Sequence, residues 1–260
     1  KGAMLIAQSL SLSRQKMLAF IDELKETDSA MSLYIPAGLS PQQIGKLTEK
    51  VNLENALPQI VELAANSKTG AAVFWSRSQK YLIIPPFPIV EHRFDDRFVV
   101  APLRSLLSRE YRIAMVLVRL GAYAIGLCQG ESLIASKVGT GNIHSRHRQG
   151  GSSAKRFQRH REKQMEYFFT RVCGHIQEIF RTDSDPIDYI VYGGAWTTIL
   201  LLQKQCSFLQ KFDNRNLPAL LDIAEPRQRV LEYAIQRVWS SRVIEWYEDT
   251  GIDRAAKPPQ

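Results

Sequence analysis

Between Arg112 and Val138, three apolar or alternating runs, 112–120, 122–129 and 132–138, are separated only by Gly121 and by the pair Gly130-Glu131. Runs of strand length divided by so few residues leave room for tight turns alone, so successive runs must lie antiparallel as a meander. Farther on, Met165, Phe168, Val172, Ile176 and Ile179 recur every three or four residues, the period of a helix with one apolar stripe. That helix is expected over about 153–181, ended by the breaker Asp183-Ser184-Asp185-Pro186. A buried strand over 187–192, a helix over 196–209, a strand over 217–223 and an amphipathic helix over 227–247 follow. Strands paired locally and then alternating with helices predict an α+β to α/β fold. It is a mixed sheet with an antiparallel meander and covering helices, RNase H-like in topology.

The first part of the chain reads as a smaller α+β domain. Leu5, Leu10, Met17, Phe20, Ile21 and Leu24 stand at roughly helical intervals and predict a first helix over 4–25. Residues 31–36 alternate briefly and stop at Pro36, and Ser40-Pro41 with Gln43 supplies a helix start, so helices are expected over 41–52 and 54–66. Runs 71–75 and 79–84 read as a hairpin, after which Pro85, Pro86 and Pro88 require extended backbone. A strand-to-helix unit over 98–109 opens the second half. The expected organisation is an N-terminal domain of unclear role over 1–95, a second domain over 96–250 and a flexible tail over 251–260.

A chain of 260 residues that is 45% hydrophobic can bury two modest cores. The weakly charged run 190–202 is broken by Gly193, Gly194 and two threonines, which argues against a membrane span. Lys1-Gly2-Ala3 ahead of Met4 reads as an appended leader, with no signal peptide after it. Cys128, Cys173 and Cys206 sit in apolar runs without metal-ligand spacing; they are expected to be reduced core thiols, and the protein cytoplasmic.

Charge is concentrated in one place. From His144 to Lys163 there are seven Lys or Arg and one acid, Glu162, so some twenty residues carry +6 of the formal +8. Such clustering points to a polyanion, nucleic acid rather than membrane. The cations fall on the first turns of the long helix, where the macrodipole disfavours them by about 0.3–1 kcal/mol each. A phosphate backbone reverses that sign, because helix-end N–H groups and added cations both attract it. On the plainer reading Arg159 pairs with Glu162 or Glu166 and the rest solvate, Gly150-Gly151 is an ordinary turn, and Ser152 or Ser153 simply caps the helix.

The order Gly150-Gly151, Ser153-Ala154, Arg156-Phe157, then Arg159 and Arg161 resembles the catalytic middle domain of the class I peptide release factors of eukaryotes and archaea. Their signature is Gly-Gly-Gln, Ser-Ala, a residue, Arg-Phe and a basic helix, and here Ser152 stands where the glutamine is expected. Gln149-Gly150-Gly151-Ser152 is also similar to bacterial relatives of the Vms-type peptidyl-tRNA hydrolases of ribosome quality control, with Ser153 replacing the glutamine. On either alignment that glutamine is missing.

The resemblance implies a loop, 144–153, that enters the peptidyl-transferase centre of the large ribosomal subunit and hydrolyses the ester of peptidyl-tRNA without a cofactor. It places Gly150, Gly151, Ser152 and Ser153 at the reaction. His144, Arg146, His147, Arg148, Gln149, Lys155, Arg156, Arg159, Arg161 and Lys163 would hold RNA. The first ninety residues show no stop-codon-reading motif and no third domain follows, so the expected enzyme is a stop-codon-independent hydrolase, monomeric, engaging neither membrane nor DNA. A noncatalytic ribosome- or tRNA-binding factor is the alternative. A metal-dependent nuclease is disfavoured, since Glu131 is the only acid between Arg112 and Val138 and sits at a turn; cleavage of the tRNA end without metal stays open. His144 and His147 have no nearby cysteine or carboxylate to complete a metal site.

Overall fold

The computed structural model describes residues 5–24, 29–49, 51–143, 154–181 and 186–248. In chain order the first elements are β1 (Leu5–Leu12), α1 (Arg14–Glu23), β2 (Met31–Ile35), α2 (Pro41–Thr48), α3 (Leu57–Asn66), β3 (Ala71–Trp75), β4 (Lys80–Ile84), β5 (Arg93–Asp95) and α4 (Ala101–Ser108). Then come β6 (Arg112–Arg119), β7 (Ala122–Gln129), β8 (Ser132–Thr140), α5 (Ala154–Phe180), β9 (Tyr189–Gly194), α6 (Trp196–Gln205), α7 (Gln228–Val238) and β10 (Ser241–Glu248). Contacts divide them into two compact units: the residues up to Ser108 with those from Trp239 onward, and Arg109–Val238.

The first unit is a six-stranded antiparallel sheet in the order β1-β10-β4-β3-β2-β5, with helices on both faces. Because side chains alternate along a strand, Phe74, Ile83 and Val243 meet Met17 and Ile21 of α1 and Leu103 and Leu107 of α4. Their neighbours Val73, Leu82 and Ile244 face Ile44 of α2 and Ile60 of α3. The hairpin β3–β4 and the start of α2 fall where the residues place them. Ser40 Oγ accepts from the Gln43 N–H at 3.3 Å and Gln43 Oε1 accepts from the Ser40 N–H at 2.8 Å, a complete capping box.

Three expectations for this unit are corrected. Residues 4–25 are not one helix: Leu5–Leu12 is a strand whose partner, β10, lies more than two hundred residues away, and α1 begins only after Ser13. The helix expected over 227–247 stops at Val238, and Ser241–Glu248, rich in β-branched and aromatic residues, is the strand between β1 and β4. Helix α4 and strand β10 consequently pack in the first unit, so the boundary lies at Ser108/Arg109 and Val238/Trp239 rather than at residues 95/96.

In the second unit the meander forms as read, β6, β7 and β8 antiparallel, with β9 parallel beside β6 to give the order β8-β7-β6-β9. This mixed sheet packs Val116, Val118, Ile125 and Ile190 against Phe168, Phe169, Val172 and Ile176 of α5 and Ile199 and Leu202 of α6. On the other face Leu231 of α7 approaches Gly126 of β7. The strand expected over 217–223 is reduced to two isolated parallel bridges to β9, Ile190 with Asn216 and Gly193 with Leu220. Pro218 interrupts it: Leu217 and Leu220 donate to Ile190 O and Tyr192 O, but a proline between them has no N–H for the ladder.

The cysteine reading is also corrected. Cys173 of α5 and Cys206, at the end of α6, form a disulfide with Cα atoms 5.5 Å apart. Apolar surroundings signalled burial, which is complete for Cys206 and partial for Cys173, but not that the two face each other across packed helices. Cys128 is a free buried thiol whose pKa burial raises to about 12, so almost none of it is thiolate at neutral pH. The folded protein should therefore show no fast-reacting thiol, one in denaturant and three in denaturant after reduction. Thiol titration with a colorimetric disulfide reagent checks the count, and replacing both Cys173 and Cys206 with serine should cost about 2–4 kcal/mol in denaturant unfolding.

Candidate nucleic-acid interface

The anticipated reaction residues Gly150, Gly151, Ser152 and Ser153 lie outside the described residues. So do the anticipated RNA contacts His144, Arg146, His147, Arg148 and Gln149. What the structure gives is the frame on either side of 144–153. Beyond β8 the backbone stays tied down, as the Gly141 N–H donates to Gly121 O at 2.9 Å and the Arg171 guanidinium of α5 donates to Thr140 O. Gly141 permits this approach, since a Cβ there would stand 2.6 Å from Cδ2 of Phe168. Ile143, the last described residue before 144, packs against the core of the second unit.

Three side chains of α5 converge on Tyr123 of β7 and hold the helix against the sheet. Phe168 meets the ring edge-on with centroids 6.1 Å apart, His175 stacks at 5.7 Å and the Arg171 guanidinium lies 5.9 Å from the ring centre. Gly139 of β8 makes room for the Tyr123 phenol, whose oxygen would be 2.4 Å from a Cβ at that position. Helix α5 has 27 residues, so it is about 40 Å long, and its buried face begins only at Phe168.

The first three turns stand in solvent. Arg156, Arg159, His160 and Lys163 are exposed and Arg161 is half-buried; Lys155 lies on the helix, but its side chain is outside the described residues. Phe157 is 52% exposed. Among the described residues Arg159 forms no ion pair with Glu162 or Glu166, and Glu162 accepts from Gln158 at 2.9 Å. Arg159, Glu162, Lys163 and Glu166 instead line a shallow groove of about 590 Å³. A helix whose N-terminal end carries more cations than acids attracts phosphate by both its dipole and its side chains.

Residues 111–244 match the family described as acVLRF1, Actinobacteria/chloroflexi VLRF1 release factor. The chain belongs to this release factor family. The matched stretch takes in the meander, the basic Gly-Gly segment, α5 and the sheet-and-helix elements after it. Peptide chain release factor subunit 1 of Thermococcus sibiricus is 26% identical over 213 residues, covering 68% of this chain and 51% of that protein. The protein of the same name from Pyrococcus abyssi is also 26% identical, with the same coverage. The chain thus spans about half the length of the curated relatives it matches. The crystal structure of an archaeal translation termination factor, aRF1, is similar at 17% identity with a TM-score of 0.40, covering 88% of this chain and 73% of that one.

Family membership upholds the likeness to the archaeal and eukaryotic release factors read from Gly150-Gly151 and Arg156-Phe157. Sequence reasoning passed over the half of α5 beyond Met165, which it treated as packing only. The apolar stripe there does pack, but Tyr167 on the other side of the helix is 77% exposed and Arg171 clasps the end of β8. Their signal was available as a second stripe at the same helical period, polar and aromatic instead of aliphatic.

Proposed function

We propose that the protein is a stop-codon-independent peptidyl-tRNA hydrolase that acts on stalled ribosomal complexes in ribosome quality control. One observation carries the proposal: the release factor family match runs through the basic Gly150-Gly151 segment and the cationic head of α5. The segment 144–153 reaches the peptidyl-transferase centre of the large subunit, where two glycines let backbone approach the terminal adenosine of the tRNA without side-chain collision. Water attacks the ester carbonyl, the acyl C–O bond to the terminal ribose breaks, the ribose oxygen leaves as a hydroxyl with a proton from that water and the peptide leaves as a carboxylate; a backbone N–H near Ser152 or Ser153 stabilises the oxyanion, a contact of the kind that contributes about 2.7–4 kcal/mol in hydrolases. His144, Arg146, His147, Arg148, Gln149, Lys155, Arg156, Arg159, Arg161 and Lys163 hold the RNA. The factor works as a cytoplasmic monomer, and the ester chemistry uses no cofactor.

The noncatalytic reading has one specific observation in its favour. Neither Ser152 nor Ser153 has the reach of the glutamine found in the release factor signature, so the factor docks without turnover on this view. Peptide release from defined peptidyl-tRNA on 50S and 70S particles separates the two, with Ser152→Gln and Ser153→Gln assayed beside the wild type. Release by the wild type, raised in one glutamine variant, supports the hydrolase; no release by any of the three sinks it. Binding should also be strongly salt-dependent: with six or more phosphate contacts, affinity for large subunits falls about 10³-fold or more between 50 and 200 mM salt. Sedimentation at graded salt checks this, and Lys163→Ala should flatten the slope of log K against log salt by about 1.

A further inference from the structure

Helix α5 carries two opposed faces below its cationic head. One is the buried aliphatic stripe. On the other, Arg156, His160, Lys163, Tyr167 and Arg171 recur every three or four residues, which aligns them on one side of an α-helix, while Glu162 and Glu166 fall away from this line. The stripe runs from the start of α5, where segment 144–153 ends, to the point where Arg171 meets the end of β8, where that segment begins.

A groove of about 470 Å³ opens beside this stripe, lined by Gly141, Asn142, Gln164, Tyr167, Phe168 and Arg171. An aromatic ring that is 77% exposed contributes nothing to the core, and the residues around it are of three kinds. Tyr167 offers a flat apolar surface, Asn142 offers an amide able both to donate and to accept, Gln164 adds an amide whose Nε2 meets His160 at 3.3 Å, and Arg171 supplies positive charge. Those are the requirements of an unpaired nucleotide: a stacking platform, edge-reading groups and a partner for phosphate. A duplex, whose bases are already stacked, satisfies only the last.

We propose that the groove between Tyr167 of α5 and Gly141-Asn142 after β8 is a stacking site for an unpaired RNA base. It lies at the end of β8, and the base rests on the Tyr167 ring. The inference builds on the RNA-directed reading given above but does not require that the ester be cleaved. By position, the base on Tyr167 lies where Arg171 meets the end of β8.

The test uses the full chain and a fluorescein-labelled single-stranded RNA decamer of mixed sequence, with the same strand in a duplex for comparison. Tyr167→Ala should weaken single-strand binding by about 5- to 160-fold, the range that loss of one base–aromatic stack produces. Tyr167→Phe, which keeps the ring, should stay within about 2-fold of wild type, and duplex binding should be unchanged in both. Because Tyr167 is exposed, the alanine variant should keep its thermal midpoint, which verifies that the fold is intact. The proposal is overturned if Tyr167→Ala binds the decamer like wild type, if single strand and duplex weaken equally, or if wild type does not bind the decamer. It also fails if the variant loses affinity for large subunits while holding the decamer normally, for then the ring contacts a ribosomal protein. Tyr167-dependent RNA binding without peptide release would remove the hydrolase reading and leave this one standing.

Discussion

Replacing Gly150 and Gly151 together with alanine should lower peptide release by about 100-fold or more while changing affinity for large subunits by no more than about 2-fold. Two methyl groups at the tip push the backbone away from the tRNA terminus, and a displacement on the order of 1 Å at a reacting centre costs about 100-fold in rate. Affinity is retained because the charges that draw the protein to RNA are elsewhere, on Arg156, Arg159 and Lys163 among others. Single-turnover release at saturating factor, paired with sedimentation, separates the two quantities. Equal loss of binding and release would show that the glycines serve docking alone.

Phe169→Ala is the substitution expected to cost most in stability. The ring is fully buried in the second unit, among the side chains where α5, α6 and the sheet meet. Truncating a buried phenylalanine removes its transfer energy and leaves a cavity, together about 3–5 kcal/mol. For a unit of this size that corresponds to roughly 11–18 °C in melting temperature. Calorimetry of the variant beside Tyr167→Ala makes the contrast direct, since two aromatic residues two positions apart on one helix should differ by almost the whole of that amount. A Phe169→Ala variant that melts within a few degrees of wild type would mean that α5 is not seated as described.

The residues made the meander legible because Gly121 and Gly130-Glu131 leave no alternative to tight turns, and the hairpin β3–β4 was legible for the same local reason. Strand β1 and strand β10 were not. Their pairing joins Leu5 to Glu248 and Leu12 to Ser241, and no window of a dozen residues contains that information. The two helical periods assigned there followed from apolar spacing that a strand or a helix can equally satisfy. Pro218 carried a legible warning against a strand over 217–223, which the apolar run outweighed. At the candidate interface, the clustering of cations on the head of α5 was legible, and of these Arg156, Arg159 and Lys163 are exposed and Arg161 is half-buried. Tyr167 was overlooked because a hydrophobic period was sought on α5 and a polar one was not. The disulfide needed the packing of α5 on α6 before Cys173 and Cys206 could be brought together.

The insertion of β10 between β1 and β4 bears on how the molecule is made. During synthesis the second unit, complete by Val238, emerges whole while the first still lacks its inner strand, with β1 unpaired and one edge of β4 open. The usual vectorial order, in which the N-terminal part matures first, is inverted. On this topology the nascent chain should consolidate from its middle, with those early strands open to mispairing until residues 241–248 have emerged.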